Sequence, residues 1–221
     1  MLGAAERLCT YLTTLEQKRL GYDLALQAFS TNDKDPRAGM VLARCAYFRA
    51  DWEETVQGRA GVSQVGVAAA SVAGSDDNQP SAAYYHALDL GIAMRDQGLG
   101  AIGKLGELAK MLKTASTTPD QDLGGPLRVM GKLYLQAPPW PLGIGDLDAG
   151  LELLKEAVDR YPSHPMNHLF YAELLLKDDR VDEAVQELVM VHRLARPELW
   201  GDYAARWQGE ATAIEESLPK H

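Results

Sequence analysis

Apolar residues recur every three or four positions along almost the whole chain, with polar residues between them. Leu147, Leu151, Leu154, Ala157, Val158 and Tyr161 step at helical spacing, and Asp148, Glu152, Lys155 and Glu156 fall on the opposite side. Asp146 is suited to cap that helix, because its carboxylate can accept the orphan amide hydrogens of the first turn, and Pro162 marks the far end. A second helix follows at once: Pro165 suits its first position, and Leu169, Ala172, Leu175 and Leu176 form its buried stripe. Asp178-Asp-Arg180 reads as a tight turn into a third, carried by Val181, Ala184, Val185, Leu188, Val191 and Leu194. Helices joined by so few residues must pack antiparallel. No segment alternates apolar and polar residues over six or more positions, so no strand is predicted.

Small residues stand at helix-interior positions that an isolated helix would fill with something larger. Ala43, Ala87, Gly131 and Ala172 are separated by 44, 44 and 41 residues, a near-constant step that points to repeated helical hairpins. Trimming a side chain there lets a neighbouring helix approach, and Met40, Tyr84, Leu127 and Leu169 are placed to fill the remaining space. Gly66, Gly150 and Ala184 do the same on second helices. Five hairpins are predicted, over 3–30, 36–74, 79–117, 125–161 and 165–195. A capping helix at 198–217 carries Trp200, Tyr203, Trp207 and Ile214 inward. Breaks fall at Asp33–Pro36, Ser75–Pro80, Thr117–Asp122 and Gln136–Gly143. None is long enough for a domain linker, so 1–221 is predicted to be a single domain.

Composition narrows the function. Hydrophobic residues at 46% and charged residues at 24% are globular values, and 221 residues can build a core. A net charge of −9 opposes a phosphate backbone, so nucleic acid is not expected as a partner. Two cysteines, Cys9 and Cys45, make neither a disulfide framework nor a paired zinc-ligand pattern, and leave the redox compartment open. The least polar stretch, Val65–Gly74, is about half of what a membrane helix needs, and the chain start shows no export signal or acylation site.

The segment Gly145–Pro162 resembles the second half of a tetratricopeptide repeat, with Gly150, Leu154, Ala157 and Pro162 in the signature places. The enlarged repeat step, the stretch from Gly124 through Gly131-Lys-Leu-Tyr134 to Ala137-Pro-Pro-Trp-Pro141, and His164–Glu173 further resemble the T-component (TatT-like) proteins of tripartite ATP-independent periplasmic (TRAP) transporters. That resemblance covers roughly Ala43–Leu188. It implies an all-α, right-handed superhelix of about five hairpins plus a capping helix. It also implies a periplasmic accessory protein, often lipid-anchored, that partners a solute-binding protein and carries an apolar channel for a hydrophobic small molecule.

Chemistry-bearing motifs are few. Gly98-Leu-Gly-Ala-Ile-Gly103 satisfies a dinucleotide-binding glycine pattern, but the surrounding sequence is helical, and a hairpin turn accounts for it. His164 and His168, with Glu173 nearby, could share one helix face with a metal, yet Pro165 puts His164 at a cap and no third ligand is suitably spaced, so no metal is expected. No nucleophile has a base beside it, and no enzyme activity or cofactor is expected.

In tetratricopeptide repeats the first helix of each hairpin lines the concave surface. The residues there include Arg44 and Tyr47 in hairpin two, Tyr84 in hairpin three, and Arg128 and Lys132 in hairpin four. Trp140, held among three prolines, stands either as a gate to that groove or as a plug over the hairpin-four core. These six are the expected ligand- or partner-binding residues: the cations would pair a carboxylate while the aromatics bury an apolar stem. The alternative is that neighbouring Asp and Glu satisfy the cations. The leading expectation is a non-enzymatic accessory protein of the TRAP T-component type, periplasmic or envelope-associated if an export signal has been trimmed, and compatible with a homo-oligomer. The second is a cytoplasmic tetratricopeptide adaptor that binds the acidic terminus of a partner protein.

Overall fold

A computed structural model describes residues 1–74 and 79–218. Among these no β-strand occurs, and the helices fall close to the predicted spans. The helices gather into two compact units, Met1–Thr118 and Pro119–His221.

The first unit holds α1 (Leu2–Leu8), α2 (Leu15–Thr31), α3 (Pro36–Ala50), α4 (Val56–Ala73), α5 (Pro80–Met94) and α6 (Leu105–Ala115). Starts are set by side-chain caps. Thr14 and Gln17 form a reciprocal capping box, Asp35 accepts from the Arg37 amide, and Thr55 accepts from Gly58. The predicted break at 75–80 lies largely outside the described residues. α3 is central, packing against α2, α4 and α5. Ala43, Cys45, Ala46 and Ala50 are all fully buried on it, which is how so short a side-chain set brings three neighbours close.

Cys9, at the end of α1, and Cys45 of α3 form a disulfide with Cα atoms 5.1 Å apart. Two cysteines 36 residues apart gave no sequence-level reason to pair, since only packing of α1 on α3 brings them together. Closing a loop of that length stabilises the unit by about 4 kcal/mol on the chain-entropy account. Gly21 makes room: a Cβ there would lie 2.6 Å from Cys9 Sγ.

The second unit holds α7 (Gly125–Gln136), α8 (Leu147–Arg160), α9 (Pro165–Lys177), α10 (Val181–Leu194), α11 (Pro197–Trp200) and α12 (Asp202–Ser217). Asp146 caps α8 by accepting from the Ala149 amide, and Pro165 opens α9. A Cβ on Gly131 would lie 2.6 Å from Leu154 Cγ, and one on Gly150 would lie 3.0 Å from Leu174 Cδ1. Close packing therefore chose both glycines against helix propensity. Leu154, Leu169, Leu174, Leu175 and Leu188 are buried, each worth roughly 1.5–3 kcal/mol of transfer free energy. The predicted single cap helix at 198–217 is broken at Gly201, whose φ of 55° and ψ of −136° suit only glycine. The break turns all three aromatics inward, Trp200 and Trp207 against His164 and Tyr203 against Trp207.

Candidate functional site

In the first unit, Arg44 and Tyr47 lie one turn apart on α3 and Tyr84 lies on α5. The Arg44 guanidinium donates through Nε to the Cys9 carbonyl at 3.0 Å and stands 6.0 Å from the Phe48 ring centroid. It thus caps α1 while remaining half-buried. Tyr47 packs edge-on to Phe48 at 5.1 Å and lies 6.4 Å from Tyr85, which lies 5.5 Å from Tyr84. Tyr11 also packs edge-on to Phe48, at 5.1 Å. The result is a continuous aromatic row from Tyr11 through Phe48, Tyr47 and Tyr85 to Tyr84, with Arg44 beside it. Tyr11, Tyr47 and Tyr85 are half-buried, whereas Tyr84 is only 1% exposed and belongs to the core beneath them. Sequence spacing pointed to Tyr47 and Tyr84 and missed Tyr11 and Tyr85. Tyr85 follows a residue already assigned inward, and Tyr11 lies in the α1–α2 connection, where no periodicity operates.

The three candidates of the second unit serve differently. Arg128 is 4% exposed and clamps the entry to α7. Asp122, Leu123 and Gly124 all have positive φ, at 52°, 49° and 87°, which costs free energy at the two non-glycine positions. Arg128 holds that backbone by donating to the Asp122 carboxylate at 2.6 Å, the Asp122 carbonyl at 3.3 Å and Asn167 Oδ1 at 2.8 Å. Asn167 in turn donates to the Leu123 carbonyl at 3.0 Å. Lys132 donates to Glu173 and lies 4.5 Å from the Phe170 ring centroid. The carboxylates expected as alternative partners of these cations are therefore in place. Trp140 neither folds back as a plug nor packs on the core, being 85% exposed.

The remaining motifs resolve into structure. Gly98–Lys104 is a 3-10 turn between α5 and α6 with no strand feeding it, which removes the context a dinucleotide turn requires. His164 caps α9 through Nδ1 and packs on Trp200 at 4.5 Å, while His168 faces Glu187 at 2.6 Å and the Pro162 carbonyl at 2.8 Å. The two imidazoles therefore serve separate partners. Burial, with Arg128 and His168 nearby, holds the His164 pKa well below the usual histidine range.

One buried group escaped the sequence reading. Asp89 of α5 is fully buried, and neither carboxyl oxygen has a hydrogen-bond partner. Its carboxyl sits against the Gly66 backbone of α4, where a Cβ would lie 2.2 Å from Oδ2. Burial pushes its pKa well above the carboxylate range.

Against this geometry, residues 142–200 match the tetratricopeptide repeat family model. The fold is similar to the crystal structure of a thermophilic TPR protein of Thermus thermophilus. The two are 20% identical with a TM-score of 0.64, and the match covers 96% of this chain and all of that one. Yeast Tom70 is also found, at 13% identity and a TM-score of 0.35, covering 91% of this chain and 60% of that one. No curated relative matches the chain. The fold is thus all-α and of the tetratricopeptide type, while the narrower resemblance to the TRAP T-component finds no support among these relatives.

Proposed function

We propose that the chain is a non-enzymatic protein-binding adaptor of the tetratricopeptide kind, and that the half-buried row of Tyr11, Tyr47 and Tyr85 beside Arg44 is a surface on which it takes a partner segment. The observation that carries this is the half-buried set Tyr11, Tyr47 and Tyr85, linked through Phe48, with the Arg44 guanidinium 6.0 Å from the Phe48 ring, in one unit of a tetratricopeptide-type fold. Rigid aromatics supply contact area at low entropic cost, and a guanidinium can pair a partner carboxylate, which suits a segment with an acidic terminus. Arg128 and Lys132 are engaged within the second unit and are not carried into this role.

The buried disulfide supports residence in an oxidising compartment such as a periplasm, because cytosolic thiols are kept reduced. A photo-crosslinking residue placed at Tyr47 or Tyr85 in the native host is expected to trap a protein, with the crosslink lost in Arg44→Ala. A chain that forms no crosslink would remove the reading. The identity of the trapped protein separates roles: a solute-binding protein would restore the transporter-accessory function. Alkylation of acid-quenched cells should find Cys9 and Cys45 blocked, and free thiols at both would reassign the compartment to a reducing one.

A further inference from the structure

Charge is divided unevenly between the two units. Residues 1–118 carry twelve basic and thirteen acidic side chains, residues 119–221 ten basic and eighteen acidic, so the second unit holds −8 of the net −9. Within that unit, every charged residue between Lys132 and Lys155 is an acid: Asp146, Asp148 and Glu152. All three are exposed, and none has an ion-pair partner among the described residues. Asp148 and Glu152 lie one turn apart on α8 and share its solvent face.

This same stretch presents the most exposed large apolar side chains of the unit. Trp140 is 85% and Leu142 71% exposed, on the loop between α7 and α8. The loop is stiff: Pro138, Pro139 and Pro141 restrict its backbone, and the amides of Leu142 and Gly143 donate to the Pro139 carbonyl at 3.1 and 3.2 Å. The Gly145 amide closes the base on the Pro138 carbonyl at 2.8 Å. A preformed tip loses little conformational freedom when an anchor is buried on it, and a lone tryptophan held in water is the residue type that most often dominates an interface. A basic segment laid along this stretch would be favoured twice, by the quadrupole of the exposed indole and by Coulomb attraction to the acids of α8. The same acids oppose an anionic bilayer.

We infer that the Pro138–Asp146 loop and the first two turns of α8 form a second docking surface, for a basic protein segment that places an apolar side chain against Trp140 and Leu142 and lysine or arginine against Asp148 and Glu152. This surface rests on the adaptor reading for its biological sense, but it uses none of the residues of the Arg44 row.

The test is selection of a random peptide library displayed on phage against the full chain, followed by titration of the enriched peptides by tryptophan fluorescence. Enriched peptides should combine aromatic or aliphatic residues with Lys or Arg. They should bind Trp140→Ala about 30-fold or more weakly, as expected of a central anchor. Asp148→Asn with Glu152→Gln should cost several-fold at low salt and little at high salt. Both apolar side chains are largely in water, so their variants keep the fold. Peptides that bind Trp140→Ala unchanged but lose affinity for Arg44→Ala would overturn this surface and leave the adaptor reading standing. Enrichment of acidic peptides, absence of any enrichment, or a blue shift of Trp140 emission on anionic phosphatidylglycerol vesicles would each overturn it too.

Discussion

Replacing Asp89 with asparagine should stabilise the first unit at neutral pH, and the gain should vanish in acid. Asp89 is fully buried and its oxygens are unpartnered, so the folded protein keeps the proton while the unfolded chain releases it at an ordinary carboxylate pKa near 3.8. The sign follows from linkage: the native state binds more protons, so stability falls as pH rises above that value. Each pH unit costs about 1.4 kcal/mol until the native carboxyl ionises, which sets a ceiling of about 4 kcal/mol at pH 7. Tyr22 of α2 is the phenol whose own pKa is raised chiefly by burial and, in smaller part, by Asp89; Arg49 lies 4.6 Å from its ring. Ser63 is a second buried and unpartnered group on α4, one turn from Gly66. Asparagine keeps the shape against Gly66 and cannot ionise. Urea unfolding of wild type and Asp89→Asn should therefore coincide near pH 4 and diverge steadily toward pH 7, with the variant more stable. Subtracting the two curves cancels every other titrating group. A difference that stays flat with pH, or wild type more stable at pH 7, would refute the reasoning.

Three further outcomes follow from the second unit. Arg128→Ala should cost roughly 3–5 kcal/mol, because it strands the Asp122 carboxylate and releases three consecutive left-handed residues; thermal unfolding monitored on Trp200 and Trp207 would read it. His164 titrates with the opposite sign to Asp89. Its folded pKa is lowered, so stability is complete above the ordinary histidine pKa near 6.5 and is lost below it at about 1.4 kcal/mol per pH unit. His164→Asn should flatten that acid limb in the same urea series. Gly131→Ala should destabilise by about 1–3 kcal/mol through its collision with Leu154, where the same change at the open Gly209 of α12 should be neutral or better by the helix propensity of alanine.

The chain by itself determined its helices, because their signals are local. Apolar spacing, Asp146 and Thr14 at caps, and Pro36, Pro80 and Pro165 at first turns act within a few residues of where they stand. The step of about 44 residues between trimmed positions was equally legible, since a glycine or alanine at a helix interior is a local anomaly. Ala43, Ala87, Gly131 and Ala172 are all buried. The partners of each side chain were not legible in this way. Arg128 and Trp140 stand only twelve residues apart, and nothing local to either said that one would be sealed by Asp122 and Asn167 while the other would stand in water. Cys9 and Cys45 pair only because α1 lies on α3, and Asp89 is stripped of water only because Gly66 admits it. Helix formation is settled by neighbours in sequence. Burial, ion pairing and desolvation are settled by neighbours in space, and packing alone chooses those.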